Sequence, residues 1–366
     1  VLYCDRFGKT NAIRTEGGVS FTSINFGIPP LFRKRLIGGM IKCLGISESM
    51  RFRSDSKLIA QTIDDLHMQR RFDLIESPNN GATLVSYLDS RKRPPSCLRI
   101  ATTDKEHTLS NTHQVTPYHK KSFKAEGATF RKCPNLVTHT LCHRNLICQE
   151  YGFSPKKFTI IPLAVKIPEI TEITHSQNSE KIKVLFVGRF ELRKGIDVML
   201  EAIPKVLEAC PEVEFRLVGP DPDLRFQKAF RKEHSAKILE KVKFPGEKMG
   251  TELEREYKDC DVFAAPSRYE SFGLIYAEAM SFEKPSVGTR AGGIPEVVEH
   301  GETGLLCEPG DAGDLSRSIL KLCRSPELCR SMGEAGRKRA IRKFSLPQLI
   351  RDTEEYYQDL ISAQKS

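Results

Sequence analysis

Arg189 and Lys194 lie on one glycine-bounded string, Gly188-Arg-Phe-Glu-Leu-Arg-Lys-Gly195. An arginine fork and a lysine point charge on one loop can converge on a diphosphate. A second string, Pro266-Ser-Arg-Tyr-Glu-Ser-Phe-Gly273, holds Glu270, and Glu278 follows with seven residues between them. A helix opening after Gly273 puts one carboxylate in the loop and the other about a turn and a half into the helix. Carboxylates so placed accept hydrogen bonds from vicinal hydroxyls, of ribose for one and of a hexose for the other. The N–H groups that open the helix form an anion site. A third string, Gly292-Gly293-Ile-Pro-Glu-Val-Val298 with Gly301–Leu305 after it, pairs glycines where backbone approaches a ligand closely. A plain turn would use the same glycines. Each string alone reads equally well as a surface loop.

What positions them is a strand–helix alternation. Ile182–Val187 is a short, β-branched apolar run ending at Gly188, and Ile196, Met199, Leu200, Ile203, Val206 and Leu207 mark one face of a following helix. Strands are expected at Val213–Val218, Val242–Phe244, Val262–Ala265 and Pro285–Thr289, with helices near Glu252–Tyr257 and Leu274–Phe282. This spacing is that of βαβ units and a parallel sheet covered on both faces, a Rossmann-like domain. The first half repeats the grammar less clearly. Val1–Cys4, Gly18–Ile24, Phe72–Glu76, Leu98–Ala101, Leu136–Thr140 and Phe158–Ile161 read as strands, Ser54–Met68 and Asn80–Leu88 as helices. Gly17-Gly18, directly before a strand-like run, reads as a hairpin turn. Four segments follow: a domain over 1–168, a polar linker over 169–180, a ligand-binding domain over 181–345 and a terminal helix over 346–366.

The chain has 366 residues, enough for two domains, and its 39% hydrophobic and 28% charged content is ordinary for a globular protein. No apolar run reaches the 18 residues of a spanning helix. Eleven scattered cysteines, odd in number and without a CxxC, argue against a disulfide framework and for a reducing cytoplasm. Cys142, His143 and Cys148 lack the further ligands zinc needs. Residues 1–170 carry 26 Lys and Arg against 14 Asp and Glu, a net +12; the remainder carries 31 against 33, a net −2. So uneven a charge suits an anionic partner of the first half. No helix-turn-helix, zinc-finger or RNP pattern accompanies it, which disfavours nucleic acid.

Taken together, FVGRFELRKGIDVMLEA, FRLVG, VKFPG and the run from DCDVFAAPSRYESFGLIYAEAM to GLLCEPGD, within about 181–345, resemble the family-4 retaining glycosyltransferases, the glycosyl transferases group 1. The resemblance implies the GT-B fold: α/β, two Rossmann-like domains facing a cleft, with the C-terminal helix crossing back to the first domain. It implies that Gly188, Arg189 and Lys194 meet the donor diphosphate, that Glu278 holds the ribose and that Glu270 faces the donor sugar. Backbone of Ser271, Phe272, Gly273 and Leu274 would cradle phosphate or sugar, and the Val242–Gly246 segment, ending at Gly246, would line the base. Glu270, Arg189 and Lys194 are the residues expected to carry catalysis. The implied reaction moves a sugar from a nucleotide sugar to a saccharide or lipid-linked acceptor with retention, in cell-envelope or polysaccharide biosynthesis. No metal and no cofactor beyond the nucleotide-sugar co-substrate are expected. Asp221-Pro-Asp223 has the spacing of metal-dependent transferases but follows Gly219-Pro220 and reads as a turn. A cytoplasmic location is expected, with peripheral contact between the basic first domain and an anionic inner membrane face.

Two departures qualify the resemblance. Val1–Cys4 aligns with the family's second strand, so one βα unit of roughly 30 residues is expected to be missing. Where relatives carry a His at the end of an R-L-H-T strand, this chain has Arg99-Ile100-Ala101-Thr102; His107 lies six residues later, and His139 and His143 flank another strand end, but all three are more ordinary as solvated or structural residues. The alternative is therefore a non-catalytic nucleotide-sugar-binding protein, or an inactive fragment of such an enzyme.

Overall fold

A computed structural model describes residues 2–4, 13–16, 19–24, 46–69, 71–79, 84–89, 93–111, 114–169 and 181–365. The chain divides into two compact units, Val1–Val137 with Asp359–Ser366, and Thr138–Gln358. Gly17-Gly18, the start of the expected Asn80–Leu88 helix and residues 170–180 of the expected linker lie outside the described residues.

In the first unit, β1 (Leu2–Cys4) pairs parallel with β3 (Val19–Ile24), which pairs antiparallel with β2 (Ile13–Glu16), Glu16 opposite Val19. After α1 (Ile46–Gln69), β4 (Ile75–Pro78) and β5 (Ser96–Arg99) form a parallel pair. Then come α2 (Asp104–Asn111), α3 (Pro117–Lys132) and β6 (Asn135–Thr138), which pairs parallel with β5. The segment expected as a helix to Leu88 instead ends in a turn and one 3-10 turn, Tyr87–Asp89. Helix α3 is invisible to apolar periodicity because its buried face is Ser122, Glu126, Gly127, Thr129 and Phe130. It is fixed instead at its start: Thr116 Oγ1 accepts from His119 N at 3.3 Å, and Pro117 occupies the first turn.

The second unit opens with α4 (Leu141–Tyr151) and β7 (Phe158–Ile160). Its main body is a six-stranded parallel sheet. The strands are β8 (Ile182–Val187), β9 (Val213–Val218), β10 (Val242–Gly246), β11 (Val262–Ala264), β12 (Ser286–Thr289) and β13 (Gly304–Cys307), in spatial order β10-β9-β8-β11-β12-β13. The α/β class and the parallel sheet expected from the sequence are present. Connecting helices are α5 (Ile196–Ala209), α6 (Arg225–Glu233), α7 (Ala236–Glu240), α8 (Gly250–Asp259), α9 (Leu274–Ser281), α10 (Ile294–Val297), α11 (Ala312–Cys323) and α12 (Pro326–Lys343). All six apolar residues expected on one face of α5 are buried, with the fully enclosed Val184, Leu185 and Phe186 of β8 in the same core. Helix α13 (Leu346–Lys365) ends the chain, its last residues belonging to the first unit. Strand order runs outward in both directions from β8 and β11, so the sheet has a topological switch point there, where open α/β sheets bind ligands beyond the strands' carboxyl ends.

Candidate active site

Two loops meet at that switch point, 188–195 after β8 and 265–273 after β11. Their junction is backbone on backbone. Gly195 is left-handed (φ +71°), and a Cβ there would stand 1.9 Å from the Pro266 carbonyl oxygen, so no other residue lets the loops approach so closely. Arg268 clasps them: its N–H donates to Arg193 O at 2.8 Å. Its guanidinium donates to Leu192 O at 2.6 Å and to both oxygens of Asp197 at 2.7 Å each.

This clasp brings the residues singled out by type into one ionic cluster. Glu270 is buried; its Oε1 accepts from Lys194 Nζ at 2.5 Å and from Ser267 Oγ at 3.0 Å, and Arg193 Nη1 stands 3.4 Å from Oε2. Glu191 lies 2.9 Å from Arg193 and 3.4 Å from Arg189. Three cations against two carboxylates leave one positive charge in excess. Lys194 is enclosed, its side chain 16% exposed, whereas Arg189 is 54% exposed and able to swing. Arg193, Ser267 and Glu191 are the members that sequence reasoning passed over. Arg193 sits beside Lys194 in the chain, but only the single 3-10 turn Leu192–Lys194 aims both at Glu270.

Helix α9 starts at Gly273, also left-handed (φ +95°), and no side chain caps it. Tyr276 O–H donates to Ala265 O at 2.6 Å and ties its first turn to the strand end. Half-buried Glu278 accepts from Tyr257 O–H at 2.7 Å through Oε2. Burial first, and the Glu278 carboxylate second, push the Tyr257 phenol well above its ordinary range, so it stays a donor. The glycine pair seats the same loop: a Cβ on Gly292 (φ +54°) would lie 2.3 Å from Glu270 O, and Gly293 N donates to that oxygen at 2.7 Å. From the other side Thr140 Oγ1 donates to Ser271 O at 2.7 Å, and Glu296 receives the Leu141 and Cys142 N–H groups at 2.8 and 2.7 Å. Gly246 ends β10 and accepts from Gly219 N at 2.9 Å; Phe244 beside it meets Phe190 edge-on at 6.2 Å, which links the expected base-lining segment to loop 188–195.

Residues 169–339 match the family model "Glycosyl transferases group 1". Over that stretch, a little under half of its length, the chain is similar to the glycosyl transferases group 1. It is 31% identical over 188 residues to the N-acetyl-alpha-D-glucosaminyl L-malate synthase of Bacillus anthracis, covering 51% of this chain and 48% of that protein. The chain spans about half the length of the first curated relatives it matches. Among solved structures, a sucrose-phosphate synthase from Thermosynechococcus elongatus superposes with a TM-score of 0.75 at 21% identity, over 98% of this chain and 87% of its own. Anabaena HepE, solved with UDP and glucose, gives 0.67 at 19% identity, over 92% and 86%. These likenesses show the fold, that of the GT-B glycosyltransferases.

Several residues weighed beside this site have structural work. The Asp221 carboxylate accepts from Phe226 N at 3.3 Å and Gln227 N at 2.9 Å, capping α6, and Asp223 is in a left-handed turn (φ +58°). His139 is buried, with Nδ1 3.1 Å from Ile161 O, and His143 is buried with Nδ1 2.5 Å from Thr138 Oγ1. His107 lies on the exposed side of α2. Ala101, also exposed, has its N–H 3.4 Å from Asn79 Oδ1. Among the described residues no cluster of three His, Cys, Asp or Glu could hold a metal ion, and no helix is long and apolar enough to cross a membrane.

Proposed function

We propose that the protein transfers a sugar from a nucleotide-sugar donor to a saccharide or lipid-linked acceptor, with retention at the anomeric carbon. The observation that carries this reading is Glu270 held by Lys194, Arg193 and Ser267 at the sheet's switch point, with one positive charge in excess. In this reading Arg189 and Lys194 take the donor diphosphate, Glu270 faces the sugar, and Glu278 receives a ribose hydroxyl. The α9 N-terminus, through Ser271–Leu274, adds donors for phosphate or sugar oxygens, and Gly246 lies beside the base. As the sugar–phosphate bond breaks, negative charge gathers on the departing diphosphate. Fixed cations and a helix N-terminus stabilise it in place, so the reading needs no metal. Resemblance to HepE, solved with UDP and glucose, supports a nucleoside diphosphate in this position. The basic first half, net +12 over residues 1–170, supports peripheral contact with an anionic membrane or acceptor.

Calorimetric titration with UDP, GDP and their sugar conjugates tests the donor half. Saturable binding weakened about tenfold or more by Arg189→Ala and by Lys194→Ala is the expected result; a folded protein that binds none of them refutes it. Retention is read from the anomeric configuration of the product by NMR. Ala101 in place of histidine favours a second reading, a protein that binds the donor without transferring its sugar. Donor binding with no transfer to any saccharide or lipid-linked acceptor would select it.

A further inference from the structure

Resting on the reading of Glu278 as the ribose contact, we propose that Tyr257 is a positioning residue whose phenol holds one oxygen of Glu278 and leaves the other for the ribose hydroxyls. The two residues come from different helices, α8 and α9, and their 2.7 Å hydrogen bond links these elements across the sheet's covering layer. The phenol has little freedom to do anything else. Its ring is fully enclosed, stacked on Phe282 (centroids 5.8 Å apart, planes 9° from parallel) and packed against Phe263 at 5.8 Å. A glutamate's terminal torsion is broad, so an untethered carboxylate at a half-buried position samples many orientations. A buried donor on Oε2 removes that freedom before a nucleotide arrives, which is preorganisation of a binding group. Because a carboxylate has about four acceptor positions, Oε1 keeps its capacity for a ribose hydroxyl. The consequence is specific: Tyr257 should matter for a ribonucleotide and be silent for its 2′,3′-dideoxy counterpart, which lacks both ribose hydroxyls.

The test measures binding of UDP and 2′,3′-dideoxy-UDP, and of GDP and 2′,3′-dideoxy-GDP, to the full chain by calorimetry. It compares the wild type, Glu278→Ala and Tyr257→Phe, with thermal melting to read the fold. Tyr257→Phe keeps the stacked ring and removes only the donor. It is expected to lower affinity for the preferred ribonucleotide about fivefold to tenfold. The dideoxy analogue should bind Tyr257→Phe as it binds the wild type. Should Tyr257→Phe melt below the assay temperature, 4-aminophenylalanine at 257 supplies an N–H donor from a ring of the same shape and must restore the ribonucleotide preference. Four results overturn the proposal. A Tyr257→Phe protein with wild-type preference, while Glu278→Ala loses it, removes the role of Tyr257 and leaves the ribose reading standing. A folded 4-aminophenylalanine protein without the preference does the same. If Glu278→Ala retains the preference, or the wild type binds neither UDP nor GDP, the ribose reading fails and Tyr257 falls with it.

Discussion

Glu270→Gln should move three properties in different directions. The native carboxylate is 9% exposed and answers two cations, Lys194 at 2.5 Å and Arg193 at 3.4 Å. Breaking a buried ion pair costs about 3–5 kcal/mol when nothing replaces the lost charge. Glutamine keeps an oxygen for Ser267 Oγ and Lys194 Nζ, so a stability loss of about 2–3 kcal/mol is expected. Diphosphate affinity should change the opposite way, because the local excess of one positive charge becomes two. Taking a separation of about 8 Å between position 270 and a bound diphosphate, a unit charge contributes about 2 kcal/mol at an effective dielectric of 20 and about 0.5 kcal/mol in water. UDP should therefore bind about twofold to thirtyfold more tightly. Transfer should fall by about a hundredfold or more, since the group facing the sugar is lost. Urea melts read the first effect, calorimetry the second and release of nucleoside diphosphate in the presence of acceptor the third. A folded Gln variant that binds UDP tenfold more weakly would refute the charge argument, showing that Glu270 serves the diphosphate by orienting Lys194 rather than by opposing it.

Lys194→Ala should weaken nucleoside diphosphate binding by about 1.5–3 kcal/mol, read by calorimetry, while Lys205→Ala, on an exposed i,i+4 pair, leaves it unchanged. Thr140→Val removes the α4 cap on His143 N (3.1 Å) and the bond to Ser271 O. It should cost about 1–3 kcal/mol in urea melts, with Thr140→Ser restoring most of it. Burial raises the Asp261 carboxyl above its ordinary 3.8, against the Lys183 N–H it accepts at 2.8 Å. The folded state thus binds that proton more tightly, and stability from this group is lost as pH rises from the unfolded value through the folded one. Asp261→Asn should flatten the stability profile in that window and raise stability above it; an unchanged profile in urea melts would contradict this. Donor binding and transfer should survive EDTA, and a chelator-dependent loss restored by Mg²⁺ or Mn²⁺ would exclude the metal-free reading.

The second unit was legible because its elements obey the simplest pattern. A strand buried on both faces reads as an unbroken apolar run, as in Val184–Val187 of β8, and the α5 stripe has a period near 3.6. The first unit hides more. Helix α3 buries serine, threonine, glycine and glutamate, whose burial is satisfied by hydrogen bonds, and β2 (IRTE) has one apolar residue in four. Patterns built on hydrophobicity pass over such elements however well capped or paired they are.

The site divides along a related line. Arg189, Lys194 and Glu270 stand out as charges in glycine-containing loops that follow strands, and Glu278 by its spacing from Glu270; both marks are local in sequence. What holds them is distant in sequence. Tyr257 meets Glu278 across 21 residues, Arg268 meets Asp197 across 71, and Thr140 meets Ser271 across 131. A hydroxyl or an arginine has no local mark that says which carbonyl or carboxylate it will find. Those partners are set only when the sheet brings α8 beside α9 and loop 188–195 beside loop 265–273. The glycines are the exception: Gly195 and Gly292 were conspicuous as residues, yet their close partners are protein backbone, Pro266 O and Glu270 O. Their spacing reports how tightly the two loops must nest for one buried carboxylate to face two cations. A substitution such as Gly195→Ala should therefore disorder the ionic cluster, and with it diphosphate binding, without touching any group that meets the nucleotide.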